Sequence, residues 1–100
     1  MLFVAICVDK ANHLELRKTT RDSHLAYIST LGDRLKVAGR MMSGPDGAPS
    51  GSVLIIEADD IETVSDILGK DPYAQAGLFK HTAIEPFAPA RGVWLPDGEA

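Results

Sequence analysis

One hundred residues set the length of one domain, with a radius of gyration near ~13 Å. Hydrophobic residues make up 45% and charged residues 24%, and a net charge of -4 with a pI of about 5.2 opposes binding to phosphate backbones and anionic membranes, so neither is an expected partner. The single cysteine, Cys7, excludes an intrachain disulfide and a cysteine metal cluster.

Leu2 to Val8 is a continuous apolar run rich in β-branched residues, which predicts a central strand buried on both faces, with Cys7 as a small core residue. The run is too short to cross a membrane and Asp9 and Lys10 follow it at once. Without a basic leader or a long apolar segment, a cytosolic location is the default expectation.

Asn12 with Glu15 three residues on predicts a capped helix start, and Gly32 predicts its end near Leu31. The inward stripe is Leu14, Arg17, Arg21, His24 with Leu25, Ile28 and Leu31. Its C-terminal half is apolar and belongs to a core. Its N-terminal half carries two arginines and a histidine, which are either solvated at a protruding end or line a polar cleft. Solvation suits Arg17 slightly better; Arg21, one turn from His24, is the better cleft candidate.

Arg34 to Met42 mixes charged and apolar residues, as an edge strand does, and Gly39 within it predicts a bulge or the close approach of another group. Ser43 to Gly51 is a turn-rich hairpin connection. Ser52 to Ala58 is a second continuous apolar strand. Asp59 or Asp60 opens a helix whose inward face is Ile61, Val64, Ile67 and Leu68, and Gly69 closes it.

Asp71 precedes Pro72, so its backbone is pushed to an extended conformation, and Pro72 suits the first position of a new helical turn. Gly77 can end that turn with a positive φ. A carboxylate is thus held at a fixed point just before the last strand. It either caps the Pro72 turn or meets His24, and the two roles are compatible. The last strand, Leu78 to Phe87, carries Lys80, His81 and Glu85 and has Pro86 near its end, the pattern of the other edge. The tail from Ala88 to Ala100 holds the only tryptophan, Trp94, which predicts either docking onto the body of the protein or a partner, or a frayed end.

The order is β-α-β-β-α-β, with the two all-apolar strands first and third. A ferredoxin-like α+β sandwich with an antiparallel sheet places those two strands in the middle. Right-handed crossovers put both helices on one face, and the apolar residues left on the other face predict a homodimer packed sheet to sheet, or a larger assembly of such dimers.

Arg21-x-x-His24-Leu25-x-Tyr27, Ala38-Gly39, Asp46-Gly47, Gly51-Ser52, Asp71-Pro72-Tyr73, Ala76-Gly77-Leu78-Phe79 and Glu85-Pro86-Phe87 together resemble the YCII-related family of the dimeric α+β barrel group. The resemblance covers residues 1 to 88 and leaves 89 to 100 as a C-terminal tail. It implies a ferredoxin-like protomer, a dimer and an active site built from His24 and Asp71. Some members resemble muconolactone isomerases in fold, and one type removes chloride from a chlorinated aromatic intermediate. One departure is Gly39-Arg40 where the family usually has Gly-Pro, which brings a charge toward the cleft mouth.

A carboxylate on one imidazole nitrogen fixes the tautomer and raises the basicity of the other, so His24 and Asp71 make a general-base dyad. Arg21 or Arg17 suits a two-pronged grip on a substrate carboxylate, and Ser52, Tyr27 and Tyr73 suit hydroxyl contacts. The set fits proton abstraction beside a carbonyl, followed by isomerisation or elimination, including dehydrohalogenation or lactone isomerisation. The expected partner is a small anionic or carboxylated metabolite. The alternative is a non-catalytic ligand-binding or protein-interaction module with the same pair. No nucleophile elbow or phosphate loop is present, His13, His24 and His81 lack zinc spacing, and neither a metal nor a cofactor is expected.

Overall fold

The computed structural model describes residues 1–44 and 47–95. Pro45 and Asp46, part of the predicted hairpin connection and of the resemblance, lie outside the described residues, as do 96–100 of the tail.

Four strands form one antiparallel sheet: β1 (Leu2–Asp9), β2 (Leu35–Ser43), β3 (Ala48–Glu57) and β4 (Phe79–Phe87). Their order across the sheet is β2-β3-β1-β4, so the two apolar strands are central and the two mixed strands are edges. Helix α1 (Leu14–Ser29) connects β1 to β2 through a short 3-10 turn at Gly32–Arg34. Helices α2 (Ile61–Gly69) and α3 (Pro72–Gln75) connect β3 to β4. The radius of gyration is 14.0 Å.

The core lies between the helices and one face of the sheet. Phe3, Ala5 and Cys7 of β1 meet Leu54 and Ile56 of β3, and Ile28, Leu31, Val64, Ile67 and Leu68 close over them. Within one chain, β1 is therefore buried on one face only. Leu2, Val4 and Val8 are half-buried and Ile6 is 38% exposed, because strand residues alternate sides and the helices cover a single side. The uncovered side is the one on which a sheet-to-sheet partner is expected.

Two local expectations change. Asn12 does not cap α1: it takes φ 61°, and His13 occupies the cap position without a side-chain bond. A short amide side chain makes the left-handed conformation tolerable there, so Asn12 turns the chain rather than capping it. Gly39 marks neither a bulge nor a close approach, since nothing stands within 4 Å of where its Cβ would be. The irregular pairings of β2 lie at Leu35/Val37 and Met41/Met42 instead. The close approach belongs to Gly51, where a Cβ would run into the Cys7 carbonyl and the Met41 methyl.

Helix α2 keeps its predicted start. Asp60 accepts a bond from the Thr63 amide at 2.8 Å, and Val64, Ile67 and Leu68 are buried, whereas Ile61 is 42% exposed. The Asp71 stretch follows its backbone logic. Asp71 is extended (φ -63°, ψ 129°), Pro72 opens α3 and Gly77 has φ 81°. Val93 and Trp94 are 98% and 84% exposed in this single chain.

Candidate active site

Helix α1 lays Arg17, His24 and Ile28 against the sheet, seven and then four residues apart, so all three share one face. Ile28 joins the core. His24 and Arg17 sit nearer the N-terminal end, where the sheet presents Ser52 rather than a large apolar group. The turn from α2 into α3 brings Asp71 to the same place, 1% exposed.

His24 Nδ1 lies 2.8 Å and 2.9 Å from the two carboxylate oxygens of Asp71. Asp71 Oδ1 also accepts the Tyr73 amide at 2.9 Å. The residue thus caps α3 and holds the imidazole at once. A carboxylate only accepts, so the proton of a neutral imidazole sits on Nδ1 and the lone pair on Nε2. Among the described residues no buried side-chain nitrogen or oxygen lacks a partner, and Nε2 bonds to no protein atom. That nitrogen therefore keeps access to the adjoining space. The ring plane is fixed by Tyr73, stacked at 4.0 Å between centroids and 15° between planes. Phe79 in turn holds Tyr73 edge-on at 6.1 Å.

Beside the histidine lies a cavity of about 330 Å³, within the usual range for small-molecule sites. His24, Ser52 and Tyr73 line it together with Arg17, Lys18, Arg21 and Arg40. Four of the ten basic residues gather here, and among the described residues no acidic one lines the wall. In an acidic protein that concentration makes the cavity a local positive field.

The two arginines exchange the places expected of them. Arg17 is buried, 6% exposed, and is the residue at the bottom of the cleft. Its Nε and Nη2 donate to the Asp9 carboxylate at 2.7 Å and 3.1 Å, and Nη2 also donates to Ser52 Oγ at 2.8 Å. Its guanidinium carbon is 4.7 Å from the centre of the Tyr73 ring. Burial works against its charge, but the bonds and charge of Asp9 outweigh that and hold its pKa above the ordinary value. Arg21 lines the same cavity from an exposed position at the rim. The reason is helical geometry: Arg17 shares the turn phase of His24, while Arg21 falls between that face and solvent.

Tyr27 stands apart from the cavity wall. Its hydroxyl donates to the Ile67 carbonyl at 2.6 Å and ties α1 to α2. Burial, then the charge of Asp71, raises its pKa. Burial also raises that of Tyr73, against the opposing charges of Arg17 and Arg21. His13 and His81 lie elsewhere, on the turn before α1 and on β4.

Asp9 is the member that sequence reasoning missed. It reads as the break after an apolar run. The period-two set Phe3, Ala5, Cys7, Asp9 places it on the helix-facing side, and that alternation was the available signal. The sequence places Arg40 only as a charge toward the cleft mouth; pairing in register with Ser52 puts it on the wall opposite α1.

A family model for the YCII-related domain matches residues 1–88. The chain belongs to the YCII-related family. It is 36% identical over 94 residues to protein YciI of Escherichia coli O6:H1, covering 87% of this chain and 96% of that one. An uncharacterised protein of Haemophilus influenzae is 32% identical over 94 residues, with the same coverage. Among solved structures, the chain matches 5-chloro-2-hydroxyhydroquinone dehydrochlorinase (TftG) from Burkholderia phenoliruptrix AC1100, determined in complex with 2,5-dihydroxybenzoquinone. The TM-score is 0.84 and the identity 32%, over 88% of this chain and 94% of that one. The fold of this YCII-related chain is therefore a ferredoxin-like α+β sandwich of the dimeric α+β barrel kind. A NIPSNAP domain protein from Burkholderia xenovorans, 23% identical with a TM-score of 0.54 over 97% of this chain and all of that one, shares the fold.

Proposed function

We propose that this protein is a small-molecule lyase or isomerase in which His24 is the general base and Asp71 orients it. The observation that carries the reading is a single imidazole bonded through Nδ1 to a buried carboxylate, with Nε2 left to a cavity of metabolite size. Nε2 takes a proton from carbon beside a substrate carbonyl, the C–H electron pair becomes the new C=C bond, and the carbonyl pair moves onto oxygen. Return of a proton to another carbon completes an isomerisation; departure of an anion such as chloride completes an elimination. Positioned acid–base groups of this kind supply ~100 to 10,000-fold in rate.

The substrate is a small anionic ring or carboxylated metabolite, drawn in by Lys18, Arg21 and Arg40. The likeness to a dehydrochlorinase with a bound hydroxyquinone supports an acidic, oxygen-rich ring as the first class to test. A second copy of the chain covers the open face of the sheet, where Leu2, Val4, Ile6 and Val8 of β1 lie beside Val53 and Ile55 of β3.

The test is a panel of chlorinated hydroxyquinols and carboxylated lactones offered to the wild type and to His24→Ala. The expected result is turnover of at least one by the wild type, a loss of ~100-fold or more in His24→Ala, and a melting temperature within a few degrees. A large drop in melting temperature without loss of turnover per folded molecule would instead mark the pair as structural.

A further inference from the structure

Ser52 lies on β3, and His24 lies across the cavity on α1. Ser52 is 4% exposed, and its Oγ receives a hydrogen bond from Arg17 Nη2 at 2.8 Å. A guanidinium has no acceptor, so Ser52 must be the acceptor in that contact. Its own O–H is then directed elsewhere. Among the described residues no acceptor takes it, although the side chain lines the cavity. Asp9 grips Arg17 by two bonds, so the guanidinium does not swing to let the hydroxyl turn round. A serine used only to satisfy a buried arginine would also bond a protein acceptor with its proton. This one keeps a donor aimed at a site whose other wall holds a base.

We propose that Ser52 is the electrophilic partner of His24: its O–H donates to the substrate oxygen that gains negative charge as His24 Nε2 removes the proton. Arg17 and Asp9 are positioning residues that fix the direction of that donor. No proton leaves Ser52. It stabilises the enolate oxygen by a charge-assisted hydrogen bond that strengthens in the transition state. The assignment rests on the proposed proton abstraction and adds the residue that meets the oxygen. It also narrows the substrate: its carbonyl or enolate oxygen and its acidic C–H must lie within one planar unit that spans from β3 to α1.

The experiment uses 2,5-dihydroxybenzoquinone, the ligand of the dehydrochlorinase relative, as a coloured enolate probe. Its affinity is measured by visible absorbance for the wild type, Ser52→Ala, Asp9→Asn and the Asp9→Asn/Ser52→Ala pair. A bond from hydroxyl to enolate predicts a loss of ~10 to 100-fold in Ser52→Ala. Asp9→Asn alone should lose several-fold. The double variant should lose no more than Ser52→Ala, because Asp9 acts through the missing hydroxyl; a merely structural role would add instead. Where Ser52→Ala lowers the melting temperature strongly, Ser52→Cys keeps the volume, weakens the donor and should give an intermediate loss. Equal affinity in the wild type and a folded Ser52→Ala overturns this inference and leaves the His24–Asp71 reading standing. Absence of wild-type binding at millimolar probe overturns both for enolate rings, whereas turnover that survives His24→Ala overturns the dyad and with it the partnership of Ser52 in proton removal.

Discussion

At the residue scale, Asp71 carries two duties that a sequence can only offer as alternatives. One oxygen caps α3 and both oxygens face His24 Nδ1, so exchanging the acid alters the imidazole's partner and the turn together. Asp71→Asn keeps an acceptor for the Tyr73 amide, but its amide can also present N–H to the imidazole and favour the other tautomer. The expected outcome is a fall in kcat of ~100-fold or more with KM little changed and helix content by circular dichroism unchanged. Tyr27 gives the contrasting case. Tyr27→Phe removes the bond to the Ile67 carbonyl and should cost about 1 kcal/mol of stability in urea unfolding, with turnover unaffected.

Buried ionisable groups also set a limit on the alkaline side. Burial pushes the Cys7 thiol up from 9.0 to about 11, with the Thr82 hydrogen bond only partly opposing it. The folded state therefore holds this proton where the unfolded chain releases it. Stability is unaffected by Cys7 below pH 9 and declines as the pH rises from about 9 toward 11. Tyr27 and Tyr73, also raised by burial, act in the same direction at still higher pH. Melting temperatures of wild type and Cys7→Ala taken between neutral and strongly alkaline pH should converge as Cys7 ceases to hold its proton at no cost.

At the scale of elements, the site depends on how closely β1 and β3 pass. Cys7 pairs with Ser52 and Val8 with Gly51, so the position next to Ser52 must have no side chain. Gly51→Ala would press a methyl on the Cys7 carbonyl and force the central strands apart. Overpacking of this sort costs about 1 to 3 kcal/mol, and the displaced Ser52 should weaken enolate-probe binding as well. Denaturant unfolding and probe titration on the same sample measure both. Helix α1 contributes differently. Its phase carries Arg17 and His24 inward and leaves Arg21 and Lys18 at the rim, so a single helix supplies both the buried wiring and the entrance charge.

At the scale of the whole molecule, charge and apolar surface are each gathered on one side. The basic mouth of the cavity should make anion binding salt-sensitive. Arg40→Ala is expected to weaken the probe by up to about fivefold at low ionic strength, with the difference shrinking at 0.5 M salt on the order of a few-Å screening length. The open sheet face is the other gathered feature. Ile6 stands on it, 38% exposed in the single chain, among half-buried Val4, Val8, Val53 and Ile55. Ile6→Lys should convert a dimer into monomers in sedimentation or light scattering, because a charge in the middle of an apolar contact has no partner there. A wild type that runs as a monomer at every concentration would remove the sheet-to-sheet pairing.

The chain alone determined what depends on neighbouring residues: apolar runs that must be central strands, a proline that fixes its preceding acid, glycines that end turns. Strand order followed from the ferredoxin-like arrangement, which places both apolar strands in the middle. The approach of His24 to Asp71 was one of two compatible roles that the chain left open for the acid, and it was the resemblance to the YCII-related family that implied the pair. The phase of α1 sets Arg17 in line with His24, but phase alone does not say that a charged side chain can be buried there. That was decided by Asp9, at the end of a different strand, and by Ser52 on a third element. Burying a charge is favourable only where an opposite charge and a hydrogen-bond acceptor are already in place, and that coincidence exists only after the sheet has formed.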